Sequence, residues 1–240
     1  MAKRKSNKNE LESAIAAISE GLELLKTYAA YANKPVVKPV VKSAKPSKIK
    51  KGTFKDPRDG KVYKTVKIGG QTWLAENLNF EAEGSKCYDN DPKNAEKYGR
   101  LYNWETAKKA CPPGWHLPTN EEWQTLIDCA DGFAPPENYD YKRDSETAGK
   151  KLKATSGWNK SGNGTDKYGF SALPGGYGNS DGSFLNVGSY GYWWSAYEDA
   201  YGSYSAYYRD MLYSSGTAYW HYYFKSNLRS VRCVQDKEGV

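Results

Sequence analysis

Histidine and cysteine are the side chains that most often carry chemistry, and this 240-residue chain has two of the first and four of the second. Cys87, Cys111, Cys129 and Cys233 allow three pairings and form no Cys-x-x-Cys unit. With only His116 and His221 beside them, the ligand spacing of a zinc site is missing. No Ser/His/Asp set can be assembled, and no phosphate-binding loop is present. The glycine-rich stretch Gly157–Gly164 lacks the flanking strand and helix that a nucleotide site needs. Hydrolytic, zinc-dependent and nucleotide-dependent catalysis therefore lack their residues, and the expectation is a protein that is not an enzyme.

The chemistry that the composition does favour is recognition. There are 21 Tyr and 8 Trp against 6 Phe and 2 Met, so much of the aromatic content carries a polar handle. Eleven of the tyrosines fall between Tyr190 and Tyr223, interleaved with Ser, Gly and Ala. Tyr and Trp supply large amphipathic contact area at low entropic cost, while Ser and Gly let a surface adapt, as in antibody paratopes. The candidate ligand-binding residues are Tyr197, Tyr201, Ser203, Tyr204, Ser205 and Tyr208, then Asp210, Leu212, Ser214 and Gly216. Ala218, Trp220, His221, Tyr222 and Tyr223 complete the set. Along 206–213, a strand period puts Tyr208, Asp210 and Leu212 on one face and Tyr207, Arg209, Met211 and Tyr213 on the other. The acidic Asp210 suggests that its face is solvated and that Met211 points inward. The bland alternative is that these are ordinary amphipathic strand residues.

The elements that must position these residues are short. Val62–Ile68 alternates like a strand and turns through Gly69-Gly70 into Gln71–Leu74, a predicted hairpin. Residues 101–110 predict a helix ended by Cys111-Pro112-Pro113-Gly114. Thr119 with Glu122 forms a capping box that starts a second helix, which ends near Gly132. Residues 150–155 suggest a third, short helix, and 157–191 read as loops. Strands are expected at 192–196, 206–213, 218–224 and 229–234. Two main helices within a short antiparallel β framework make an α+β domain over 53–236, with 237–240 as a tail.

Residues 1–33 differ in texture. Leu11, Ile15, Ile18, Leu22 and Leu25 fall at heptad spacing, so the segment predicts an amphipathic helix able to self-associate as a coiled coil, or else to pack on its own domain. Residues 34–52 repeat Pro and Lys and predict an extended, self-repelling spacer. The net charge of +7 belongs here: residues 1–51 carry 12 Lys/Arg against 4 Asp/Glu, and the remainder 23 against 24. Nucleic-acid binding through this tail, including Lys38, Lys42, Lys45, Lys48, Lys50 and Lys51, is a second reading. Mean hydropathy is −0.85, no apolar run is long enough to span a membrane, and Glu10, Glu12 and Glu20 interrupt any signal-like segment. The expected location is cytoplasmic or virion-associated.

Several motifs, in order, carry a family resemblance: Ile68-Gly69-Gly70-Gln71-Thr72-Trp73-Leu74-Ala75-Glu76-Asn77-Leu78-Asn79, Tyr98–Trp104, Cys111–Thr119, Glu122-Trp123, Tyr168–Tyr177, Tyr192–Ser195 and Ser230–Val234. Over about residues 53–236 the chain resembles the Fibrobacter succinogenes major paralogous domain. The resemblance implies a C-type-lectin-like fold of the variety shared with formylglycine-generating enzymes. It also implies a disulfide between Cys111 and Cys233. Family members often carry a second cysteine near position 95, which is Ala95 here; Cys87 thus lacks its usual partner, and Cys129 is a substitute. An oxidase would need reactive cysteines close together in the C-terminal part, where only Cys233 lies. Lectin-like domains of this kind serve as variable proteins of diversity-generating retroelements. The candidate site residues other than Trp220 fit adenine-directed change of Asn-type codons. The calcium-and-sugar motifs of true C-type lectins are missing, although the loops at Asp89–Asp91 and Asn179–Asp181 could hold a structural calcium. The expected partners are a protein or glycan ligand and further copies of the chain, joined through the N-terminal helix, with no other cofactor and no membrane.

Overall fold

The computed structural model describes residues 49–133, 144–199 and 204–237. The heptad residues Leu11, Ile15, Ile18, Leu22 and Leu25, and most of the spacer, lie outside these, as do Tyr201 and Ser203. Within the described residues the protein is α+β, with twelve short strands and four α-helices.

The Gly69-Gly70 turn forms because both residues take positive φ, 60° and 84°, which two-residue hairpins require. It joins β2 (Val62–Ile68) to β3 (Gln71–Leu74), and β1 (Lys50–Lys55) adds to the outer side of β2. On the other side of β3 lies β12 (Val234–Gln235), which also pairs with β5 (Trp115–His116). The second sheet runs in the order β10 (Ala218–Phe224), β9 (Ser205–Leu212), β8 (Tyr190–Glu198), β11 (Arg229–Ser230), β4 (Leu101–Tyr102). One of its pairings, β11 with β8, is parallel. A small pair, β6 (Tyr177–Gly178) and β7 (Phe184–Leu185), stands apart inside the predicted loop region.

The helices are α1 (Pro92–Tyr98), α2 (Trp104–Ala110), α3 (Asn120–Asp131) and α4 (Ala148–Leu152). The capping box of α3 is complete: Glu122 N–H donates to Thr119 Oγ1 at 3.2 Å, and Thr119 N–H donates to Glu122 Oε2 at 3.0 Å. Gly132, left-handed at φ 90°, ends the helix. The first predicted helix is shorter than expected, because Leu101 and Tyr102 pair with β11 before Asn103 caps α2. α1 was not expected; Asp91 caps it and Pro92 occupies its first turn.

The predicted strand 229–234 is two strands. Arg229 and Ser230 belong to one sheet and Val234 to the other, and Val231, Arg232 and Cys233 cross between the sheets fully buried. Tryptophans fill the space between. Trp73 lies 4.9 Å from Trp123, which lies 6.5 Å from Trp193, and all three are inaccessible to solvent. Their indole N–H groups are satisfied internally: Trp193 donates to Asn77 Oδ1 at 2.8 Å, Trp123 to the Trp194 carbonyl at 3.3 Å and Trp73 to Gln71 Oε1 at 3.3 Å. A disulfide joins Cys111, after α2, to Cys233. Cys87 and Cys129 are free, so the substitute pairing does not form.

Candidate functional site

In β8, β9 and β10 the two-residue period and the register together decide which side chains meet. Tyr192 opposes Asp210, Trp194 opposes Tyr208, and Tyr190 opposes Leu212. Across the next gap, His221 opposes Tyr208, Tyr219 opposes Asp210, and Tyr223 opposes Ala206. Directly opposed residues project to the same side of a sheet. One face therefore carries Tyr190, Tyr192, Tyr208, Tyr219, His221 and Tyr223.

Their rings form a continuous platform. Tyr190 stacks on Tyr192 at 5.5 Å, Tyr192 meets Tyr208 edge-on at 5.9 Å, and Tyr177 from β6 meets Tyr192 at 5.3 Å. On the other flank, Tyr208 lies 5.9 Å from His221, which stacks on Tyr219 at 5.8 Å. His221 and Tyr223 are exposed, while Tyr190, Tyr208 and Tyr219 are half-buried.

Arg229 lies within this platform, only 3% exposed. Its guanidinium carbon is 4.1 Å from the Tyr208 ring centre and 4.4 Å from that of Trp194, with Tyr192, Tyr177 and Tyr223 within 6 Å. Its Nε and Nη1 have no hydrogen-bond partner among the described residues. Burial pulls its pKa down, and the Tyr208 hydroxyl holds it against that pull. A desolvated guanidinium facing aromatic rings gains about 2 kcal/mol from the ring quadrupoles, so the cation locks the rings into one arrangement. Burial raises the phenol pKa of Tyr192 and of Tyr208.

Asp210 departs from expectation. It is 4% exposed, and its Oδ1 lies 2.7 Å from His221 Nδ1. That face is the open one, as expected, but Asp210 itself is buried: the acid sits under the rings as the anchor of a histidine. That hydrogen bond is the main cause of the raised His221 pKa, against desolvation. Ala218 is also corrected, since it is fully buried in the core and out of a ligand's reach. Gly216 is half-buried in the β9–β10 turn, its carbonyl accepting from Lys150 N–H at 2.9 Å.

The opposite face is closed in its middle. Met211 points inward as expected and is fully buried, Arg209 donates to Gln124 of α3 at 2.8 Å, and Tyr207 donates to Asp199 at 3.0 Å. Trp220 stacks on Tyr207 at 4.4 Å. Of the other candidates, Tyr208 and His221 join the platform with Tyr223, and Leu212 flanks it. Tyr222 emerges on the reverse side, 54% exposed, and Tyr197, Tyr204 and Ser205 lie at the strand ends. Ser214 is exposed in the β9–β10 turn. Sequence reasoning missed Tyr177, Tyr190, Tyr192, Tyr219 and Arg229. Tyr190 and Tyr192 gave a signal by alternating in phase, whereas nothing local marked Arg229.

Other chemistry-bearing residues serve the scaffold. His116 lies between Glu122 Oε2 at 2.9 Å and Asp236 Oδ1 at 2.5 Å. Asp91 accepts from Lys93 N–H as a helix cap, and Asp181 accepts from Ser183. Among the described residues no three His, Cys, Asp or Glu side chains converge as a metal site would require.

These features define a two-sheet α+β domain, tied by a crossing C-terminal segment, that displays a fixed aromatic face. The family model of the Fibrobacter succinogenes major domain (Fib_succ_major) matches residues 66–235, and the chain belongs to that family. No curated protein and no solved structure matches the chain.

Proposed function

We propose that the chain is a non-catalytic recognition protein, a C-type-lectin-like domain that binds a protein or glycan through the tyrosine platform of β8–β10. The observation that carries this is the platform itself: six rings and His221, held in register around the buried Arg229. Rigid aromatic groups bind at low entropic cost, and a preformed surface avoids the cost of ordering on contact. The two sheets, the helices α2 and α3 and the Cys111–Cys233 bridge support the lectin-like reading. An N-terminal coiled coil over 1–33 would gather several such heads and add avidity.

The test is selection of binders from a displayed protein library and from a glycan array. Binding to the platform predicts at least a tenfold loss on Tyr219→Ala or His221→Ala, with no change on Lys93→Ala. Binders indifferent to both platform substitutions would sink the reading. Diversification by a retroelement predicts a neighbouring reverse transcriptase gene and a near-copy template in the source DNA.

A second reading has its own observation. Lys50 opposes Lys67 across the β1–β2 pair, beside the exposed Lys51 and Lys55. Directly opposed like charges cost stability, and an anionic strand of nucleic acid would relieve them. This predicts salt-sensitive DNA binding that weakens in Lys50→Gln and Lys67→Gln.

A further inference from the structure

β10 is the last strand of its sheet, and its outer edge has an unusual distribution of backbone groups. Ala218 exchanges both backbone hydrogen bonds with Ser145, at 2.8 and 3.0 Å. The N–H and C=O groups of residues 218, 220, 222 and 224 therefore point away from β9. Two of the outward groups beyond Ala218 are satisfied within the chain: Trp220 N–H donates to Asp144 Oδ1 at 2.7 Å, and the Phe224 carbonyl accepts from Asn227 N–H at 3.1 Å. The Trp220 carbonyl, the Tyr222 N–H and carbonyl, and the Phe224 N–H have no partner among the described residues.

These remaining groups complement themselves. When two such edges meet antiparallel with Tyr222 opposite Tyr222, the two Tyr222 residues exchange both of their bonds. Each Phe224 N–H then reaches the Trp220 carbonyl of the other copy. Every free group is used, and the two already bonded within the chain are the two that this pairing leaves over. A shift by one step in either direction sets free groups against groups already bonded. From this we infer that β10 pairs with β10 of a second copy across a two-fold axis at Tyr222, joining the two five-stranded sheets into one.

The side chains along the edge fit the same arrangement. Tyr222 and Phe224 are each 54% exposed and Tyr223 is 46% exposed. An exposed aromatic edge strand is otherwise an aggregation hazard, and the lysines that usually blunt such edges are missing between Ala218 and Phe224. In the pair, Tyr222 meets the partner's Tyr222 and Trp220 meets the partner's Phe224 on one face. His221 meets the partner's Tyr223 on the other, where it adjoins the aromatic platform. A two-fold contact needs one self-complementary patch, which this edge supplies. The inference does not depend on what the platform binds.

The test uses the full chain. Directly opposed residues in a hydrogen-bonded antiparallel pair have Cα atoms about 5.5 Å apart, within disulfide reach. Mild oxidation of Tyr222→Cys should therefore link two copies through the substituted position, identified by mass spectrometry of the joined peptides. His221→Cys, whose thiol would face Tyr223 instead, should not link to itself. Independently, Tyr222→Lys should halve the mass seen by light scattering while leaving the near-UV circular dichroism of the folded chain in place. Whatever the N-terminal segment adds to assembly, that twofold drop belongs to β10. A mass equal to that of the wild-type chain, or equal self-linking at positions 221 and 222, would overturn the inference.

Discussion

The Asn77 side chain satisfies three buried groups at once. Its Oδ1 accepts from Trp193 Nε1 at 2.8 Å and from Arg232 Nη2 at 2.7 Å, and its Nδ2 donates to the Tyr98 carbonyl at 2.8 Å. Arg232 is fully buried and also donates to the Phe170 carbonyl, so Asn77 is part of what makes its charge tolerable. Asn77→Ala would strand the Trp193 indole N–H and leave the buried Arg232 guanidinium only its backbone carbonyl acceptors, at a cost of about 3 kcal/mol. Urea denaturation measures this directly, and Asn77→Asp should recover part of the loss by pairing with Arg232. At the platform, the Asp210 hydrogen bond raises the His221 pKa above its usual 6.5. The stability this gives is fully present below about pH 6.5 and is lost as pH rises through the folded-state value. An NMR titration should place the imidazole above that reference, and Asp210→Asn should lower it. A wild-type value at or below the reference would remove Asp210 from this role.

Single elements show where local pattern was sufficient. The hairpin at Gly69-Gly70 and the capped helix α3 fall where turn and cap chemistry put them, because both are decided within a few residues. Met211 fell inward as the acidic residue beside it, on the opposite face, had suggested; alternation, a local rule, fixed only that the two faces differ. The helix expected at 101–110 lost its first turn to pairing with β11, a contact between residues more than 100 positions apart that no local rule reports. The β9–β10 turn is anchored by a lysine from just beyond the end of α4. Lys153 Nζ donates to the carbonyls of Leu212 and Ser215, each at 2.9 Å, with its ammonium 4.9 Å from the Trp158 ring centre. Burial, helped by Lys150, pushes its pKa down to about 8. The unfolded chain binds a proton here that the folded chain gives up between about pH 8 and 10.4, so stability rises with pH across that window. Melting of the wild-type chain against Lys153→Met, followed from pH 7.5 to 10.5, should show the wild type gaining on the variant. A constant difference would mean that Lys153 keeps its proton throughout.

Across the whole molecule, the final segment fastens the two sheets together. Cys111 and Cys233 lie 122 positions apart, and closing so long a loop removes much of the freedom of the unfolded chain. Cys111→Ser with Cys233→Ser should cost about 4 kcal/mol, read from urea midpoints under non-reducing conditions. Reductant should lower the wild-type midpoint to match and leave that of the variant unchanged. The pairing of Cys111 with Cys233 was implied by family resemblance; spacing alone left three pairings open. That Cys87 and Cys129 stay free is settled by where the chain carries them.

The sequence by itself determined the features governed by neighbours along the chain. It marked the α+β texture, the hairpin, the capped helix, the family motifs and the concentration of tyrosine near the C-terminus. It also placed those tyrosines on strands with a two-residue period. Asp210 pointed to the side of those strands that stays open, but what closes the other side and underlies the open one was decided only by the tertiary structure, because each face is covered or exposed by segments distant in sequence. α3 closes one face through Gln124 and Arg209, and β11 brings Arg229 under the other. Asp210 became a buried partner for His221 because register, not polarity, set what lay beside it.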